Sequence, residues 1–215
     1  MGKIVAFVTQ KGGVGKTCAA VNYACWIAKH RGKTVRVIDA DTQQSALTWL
    51  HQISPDFPVD SITNADDLIE RSPELAEGVT RLVIDGPGQI AEISRGILLI
   101  CDLAVVPCQP SGLDLHSCDS AFRLIRQAQQ IRSGQPEAVV FLSRAFPNTR
   151  LTKETAQVLS EISGVTFLKP AINQRQVVSD CFGQGASIWG ISGRSAKTSA
   201  TEYEKLFRSI EKALL

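Results

Sequence analysis

Residues 4–20 read IVAFVTQKGGVGKTCAA. An apolar, partly β-branched run stops at three glycines, and a helix-forming stretch follows at once. Glycine tolerates positive φ and close backbone approach. A loop built from it folds tightly and turns several N–H groups toward one centre. The following helix adds its unpaired first-turn N–H groups and the positive end of its dipole. Strand, loop and helix together make a cradle for a phosphate-like anion. Lys11 and Lys16 bracket the glycines. One lysine is enough to hold a phosphate, so the second needs its own reason.

The rest of the chain repeats this strand-then-helix grammar. Aliphatic or β-branched runs at Ile4–Thr9, Thr34–Asp39, Arg81–Asp85, Leu103–Pro107, Ala138–Ser143 and Val165–Leu168 predict strands. Between them, Lys16–His30, Gln44–Gln52, Ala65–Ala76, Ala91–Cys101, Leu115–Arg132, Thr152–Ile162 and Gln174–Phe182 predict helices, with a last helix from about Ser199 to Leu214. Nearly continuous apolar strands separated by helices imply an α/β fold: a mostly parallel, twisted sheet with helices on both faces. Ligands of such sheets collect at the carboxyl ends of the strands.

With 215 residues, 44% hydrophobic and 20% charged, the chain is expected to form a single domain, 1–215. Net charge is only +2, so any nucleic-acid site must be a local patch. The cysteines at 18, 25, 101, 108, 118 and 181 form no CxxC pair and read as reduced, buried thiols of a cytoplasmic protein. No signal peptide and no membrane span is predicted.

In KGGVGKT, Lys16 is spaced to reach the β- and γ-phosphates of a nucleotide, and the Thr17 hydroxyl to ligate Mg²⁺. The ordinary phosphate-loop pattern wants a glycine where Gln10 stands; here Lys11 opens the loop instead. The segment resembles the deviant Walker A motif of the ParA/MinD superfamily of P-loop ATPases. That resemblance implies a P-loop NTPase fold, ATP and Mg²⁺ as cofactors, and a nucleotide held by Lys11, Gly12, Gly13, Val14, Gly15, Lys16, Thr17 and the backbone of Cys18. It also implies a homodimer with ATP sandwiched between subunits. Lys16 then serves its own nucleotide and Lys11 the partner's.

Carboxylates follow at the expected strand ends. Asp39 and Asp41, in VRVIDADTQQ, are two apart and face the same way on an extended chain. The resemblance implies that Asp41 orients the attacking water and that Asp39 supports the lysine and metal network. Lys11, Lys16, Asp39 and Asp41 are thus the catalytic candidates, although two such aspartates also make plain helix caps. Thr42 stands where the family usually has proline. RLVIDGPG resembles a Walker B strand, with Asp85 and Thr17 as metal ligands; the family more often has DxPP, and the extra glycine of DGPG is expected to loosen the loop. Gln109, Pro110 and Asp114 are plausible contacts near the nucleotide, or a turn and cap. In AINQRQVVSDCFGQGASIW, which resembles the family's segment around the adenine, Asn173 and Arg175 are the candidates for base contacts, with a helix cap at Asn173 as the alternative.

The branch most resembled is that of the short ParA-type plasmid partition proteins, without an N-terminal DNA-binding domain. It implies slow ATP hydrolysis, stimulated by a ParB-like or other adaptor, and non-specific DNA binding by the ATP-bound dimer on the nucleoid. From Ala121 to Gln176 there are eight Lys/Arg against three acids, a difference of +5. Arg150 and Lys153, with Arg194 and Lys197 further on, are the DNA-binding candidates; the competing reading is a solvated helix face. The alternative branch is a MinD-like membrane-cycling or protein-cargo-positioning ATPase that does not use DNA. The final helix, with Tyr203, Leu206, Phe207, Ile210, Ala213 and Leu214 on one face and balanced charges opposite, predicts docking on the core and no membrane binding.

Overall fold

The computed structural model describes residues 1–30, 32–89 and 91–215, with the side chains of residues 30, 91 and 112–117 outside that description. Among the described residues, seven strands make one sheet: β1 (Lys3–Phe7), β2 (Val35–Asp39), β3 (Val59–Ser61), β4 (Arg81–Asp85), β5 (Leu103–Cys108), β6 (Glu137–Leu142) and β7 (Thr166–Leu168). Their order is β3-β2-β4-β1-β5-β6-β7, and every pairing is parallel. The helices are α1 (Lys16–His30), α2 (Ser45–Ile53), α3 (Ala65–Leu75), α4 (Ala91–Ile100), α5 (Gly112–Ile131), α6 (Arg150–Ser160), α7 (Gln176–Gly183) and α8 (Arg194–Ala213), with a 3-10 turn at Ile188–Gly190.

Period-two alternation sorts the strand residues between two cores. Val5 and Phe7 face the core formed with α1, α2, α7 and α8. Ile4, Ala6 and Val8 face the opposite core, formed with α3, α4, α5 and α6. Both faces of the sheet are therefore buried, which is why its strands carry so few polar residues.

Strand β3 is absent from the sequence reading. It has three residues, VDS, and only Val59 is apolar. Its pairing with β2 is reinforced across the strands, where the Arg36 guanidinium donates to both carboxylate oxygens of Asp60 at 2.6 and 3.1 Å. An edge strand held by an ion pair leaves no hydrophobic signature. Helices α6 and α8 begin earlier than the sequence implied, at Arg150 and Arg194. Thr149 caps α6 by accepting from the Thr152 N–H at 3.2 Å.

Helix α8 packs as expected: Tyr203, Leu206, Phe207 and Ile210 are all buried. Its far end is fixed by Glu211, one of the charges opposite its apolar face. Arg81 donates to Glu211 at 2.8 and 3.0 Å, Tyr23 at 2.6 Å and Lys33 at 2.9 Å. Arg81 opens β4 beside Lys3 of β1. The network thus sits at the amino edge of the sheet, away from the ligand edge.

Candidate functional site

Strand order reverses direction at β1, which lies between β4 and β5. Crossovers from β1 to β2 and from β4 to β5 run to opposite sides and leave a crevice at the carboxyl end of β1. The glycine loop fills that crevice. Gly13 and Gly15 have φ of 80° and 88°, in the left-handed region that other residues enter at a cost. A Cβ on Gly15 would also lie 2.8 Å from Ser143 Oγ. Val14 is buried and anchors the loop in the core. Helix α1 starts at Lys16, and its early bond runs from the Ala19 N–H to the Gly15 carbonyl at 3.0 Å.

A cleft of about 360 Å³ opens on this loop. Its wall includes Lys11, Lys16, Thr17, Asp41, Trp49 and Phe182. Trp49 and Phe182 meet edge to face, with ring centroids 5.8 Å apart, and give the cleft an apolar side. Trp49 comes from outside the motifs that the sequence singled out, and Phe182 from within the late segment that carries Asn173 and Arg175. A smaller space of about 120 Å³ adjoins it and is lined by Gly15, Cys18, Arg144, Asn173, Arg175 and Tyr203, among others.

Register brings the acids together. Asp39 of β2 pairs directly with Asp85 of β4. Lys16 is only 7% exposed, and its ammonium donates to Asp85 Oδ1 at 2.7 Å. The other oxygen, Asp85 Oδ2, is buried with no hydrogen-bond partner among the described residues. A buried carboxylate oxygen left in that state is costly, and it is the donor type that hard divalent cations take.

Asp39 is spoken for. Its Oδ1 accepts from the Asp41 N–H at 3.1 Å and its Oδ2 from the Leu47 N–H at 2.9 Å. The carboxylate thereby fixes the start of α2, so the helix-cap reading describes its bonds. Burial pushes the Asp39 carboxyl up to about 6, against those backbone N–H bonds and with the Asp85 charge adding to the rise. Asp41, in contrast, lines the cleft, and its Oδ1 accepts from the Gln43 N–H at 3.0 Å.

In the DGPG segment the backbone packs closely at Gly86, whereas a Cβ at the extra glycine, Gly88, would meet Gly12 only at 3.6 Å. Gly86 donates its N–H to the Phe7 carbonyl at 3.0 Å, and a Cβ there would lie 3.0 Å from the same oxygen. Gln109 and Pro110 are not among the described residues lining either space, and the Asp114 side chain lies outside the described residues.

Asn173 and Arg175 line the smaller space together with Gly15 and Cys18. Glu202 of α8 engages both: Asn173 Nδ2 donates to it at 2.6 Å, and Arg175 donates through two nitrogens at 2.5 and 2.7 Å. Burial disfavours the Glu202 charge, yet Arg175 and Asn173 outweigh it and hold the carboxyl below its ordinary range. Cys18 Sγ and the Tyr203 hydroxyl lie 3.3 Å apart, and burial pushes the Cys18 thiol up. All six cysteines are free thiols.

The basic stretch is less available than its count suggested. Arg132 donates to the carbonyls of Leu98 and Cys101 at 2.9 and 2.6 Å. Arg144 is engaged with the glycine loop and Arg175 with Glu202. Arg150, Lys153, Arg194 and Lys197 are exposed, and Arg150 pairs with Glu154 at 2.7 Å. No helix among the described residues is long and apolar enough to cross a membrane.

Comparison with known proteins bears on the family and the fold. The family described as CobQ/CobB/MinD/ParA nucleotide binding domain matches residues 5–188. A "Maintenance of carboxysome distribution protein A" from Halothiobacillus neapolitanus is 27% identical over 199 residues, covering 89% of this chain and 90% of that protein. The chromosome-partitioning ATPase Soj of Thermus thermophilus is 26% identical over 160 residues, 60% of this chain and 63% of Soj. Among solved structures, an ATP complex of Cyanothece McdA superposes with a TM-score of 0.78 at 16% identity, covering 99% of this chain and 96% of that one.

Proposed function

Because the chain belongs to the CobQ/CobB/MinD/ParA nucleotide-binding domain family, we propose that it is a positioning ATPase that runs on ATP and Mg²⁺. The observation that carries this reading is the convergence of Lys11, Lys16, Thr17 and Asp41 on one cleft over a glycine loop. The loop N–H groups and the start of α1 receive the phosphates. Lys16 exchanges Asp85 Oδ1 for phosphate oxygens. Thr17 and Asp85 are the residues that would hold Mg²⁺, and the unpartnered Asp85 Oδ2 fits that donor set. Held by these residues, Mg²⁺ would supply positive charge against the nucleotide phosphates. Asp41 orients the attacking water. Asn173 and Arg175, held by Glu202, form the wall on which the base rests.

In this proposal two loaded subunits pair face to face, and Lys11 of each reaches the nucleotide of the other. The dimer holds non-specific DNA through exposed cations such as Arg150, Lys153, Arg194 and Lys197. Phosphate contacts of this kind require charge and not base readout. Hydrolysis is slow until a ParB-like or other adaptor accelerates it. Turnover then dissolves the dimer, and a cytoplasmic, nucleoid-associated cycle moves a plasmid or other cargo as one single-domain unit.

A second reading is a protein-cargo positioner that does not use DNA. It is favoured by the names of the carboxysome-distribution relatives and by the three arginines of the basic stretch that are engaged inside the fold. The test is binding to a random-sequence duplex with ATP–Mg²⁺, with ADP and with no nucleotide, at two salt concentrations. Binding only with ATP that weakens steeply with salt supports the DNA-bound cycle. Absence of binding alongside an intact ATP-dependent dimer supports the second reading.

A further inference from the structure

Arg144 has φ of 52°, a left-handed backbone for a residue that is not glycine. It follows β6, at the ligand edge of the sheet, and its guanidinium spans two segments distant in sequence. Nη1 donates to the Gly13 carbonyl, and Nε donates to Gln174 Oε1 at 2.8 Å. The backbone beside it is zipped to the same second segment: the Ala145 N–H donates to the Ile172 carbonyl at 3.0 Å and the Gln174 N–H to the Ala145 carbonyl at 2.9 Å. Ser143, one residue earlier, is the side chain that a Cβ on Gly15 would strike.

The Gly13 carbonyl and the Val14 N–H belong to one planar, trans peptide and point in opposite directions. A cation that holds the carbonyl therefore fixes the direction of the N–H. Arg144 lines the smaller space and is absent from the wall of the main cleft. Holding Gly13 from that side directs the Val14 N–H away from Arg144. With glycines on both sides of Val14, the loop has little rigidity of its own.

We propose that Arg144 is the positioning residue of the nucleotide loop: it locks the Gly13–Val14 peptide for phosphate binding and, through Gln174, couples the loop to the segment that carries Asn173 and Arg175. This rests on the ATPase reading above. It also ties Arg144 into the fold through Nη1 and Nε, which leaves it less free to serve a DNA-binding surface.

The test compares wild type with Arg144→Ala, Arg144→Lys, Gln174→Ala and the Arg144→Ala/Gln174→Ala double variant. Affinities for ADP and for a non-hydrolysable ATP analogue are measured, together with KM, kcat and the melting of the ligand-free protein. Arg144→Ala is expected to bind both nucleotides about tenfold more weakly, with KM rising by a similar factor and kcat changing less than threefold. Arg144→Lys, whose ammonium can hold one carbonyl but not both partners, recovers part of the loss. Gln174→Ala loses about threefold, and the double variant is no weaker than Arg144→Ala, because both substitutions break one chain of contacts. Wild-type KM in Arg144→Ala, or effects that simply add in the double variant, would overturn the proposal. A purely structural role would lower melting and leave affinity in the folded protein unchanged. If Arg144→Ala does not fold, Arg144→Lys and Gln174→Ala decide by the same titrations. Failure of wild type to bind either nucleotide would instead sink the ATPase reading itself.

Discussion

Glu211→Gln is the substitution whose cost the structure fixes most directly. The glutamate is 9% exposed and accepts from Arg81, Tyr23 and Lys33. Burial disfavours its charge, but Arg81, Tyr23 and Lys33 together hold the carboxyl down to about 2, against an ordinary 4.5. At about 1.4 kcal/mol per pH unit, that gap corresponds to about 3 kcal/mol of stability at neutral pH. The sign follows from the depressed value: the contribution is complete above about 4.5 and is lost as pH falls toward 2. Glutamine keeps the shape but turns an amide donor toward a cluster of donors. A loss of about 3 kcal/mol lowers the midpoint of thermal unfolding by roughly 6–12 °C in a chain of this size. Urea unfolding at pH 7 and at several values down to pH 3 is the assay. The difference between wild type and variant should be largest at pH 7 and shrink below 4.5. Nucleotide affinity should not change, because the network lies at the opposite edge of the sheet from the cleft. A variant that unfolds at the wild-type urea concentration at pH 7 would refute the reasoning, as would a difference that does not diminish in acid.

Lys16→Ala should abolish nucleotide binding and also destabilise the ligand-free protein by several kcal/mol, because Asp85 is left buried without its cation; nucleotide titration and melting check the two effects separately. Lys11→Ala should keep monomer binding yet form no dimer with ATP, as read by light scattering. Asp41→Ala should form the ATP dimer and hydrolyse at least tenfold more slowly, and unchanged turnover would move the water-orienting role elsewhere. Gly15→Ala brings both a positive-φ penalty and a 2.8 Å approach to Ser143 Oγ; it should lose nucleotide affinity more than tenfold while the sheet still folds, measured by titration and circular dichroism.

Local patterns made much of this protein legible from its residues. Buried strands are written as aliphatic runs, so β4 emerged with its observed boundaries, and the glycine loop located the start of α1 at Lys16. The ends of α6 and α8 were less visible, because their first turns are polar and carry no hydrophobic period. Strand β3 was invisible for the same reason. Asp85 and Asp41 lie at the ligand edge, where their places at or just after the ends of aliphatic runs put them. The partner that such a side chain finds far along the chain, as Asp85 finds Lys16, leaves no local mark.

The sequence by itself determined the parallel α/β class, the phosphate loop with its two lysines, and the acids at the ends of β2 and β4. Each of these is encoded within about ten neighbouring residues, where periodicity, glycine content and strand length act. Only the tertiary structure decided that Asp39 holds the start of α2, that Glu202 engages Asn173 and Arg175, that Arg144 grips Gly13, and that Glu211 gathers Arg81, Tyr23 and Lys33. Most of these contacts join segments tens of residues apart or more, and a charged side chain reads the same whether it ends in water or in a buried pair. The sheet's register makes the choice, because burial leaves each such charge dependent on the one partner that folding brings within reach.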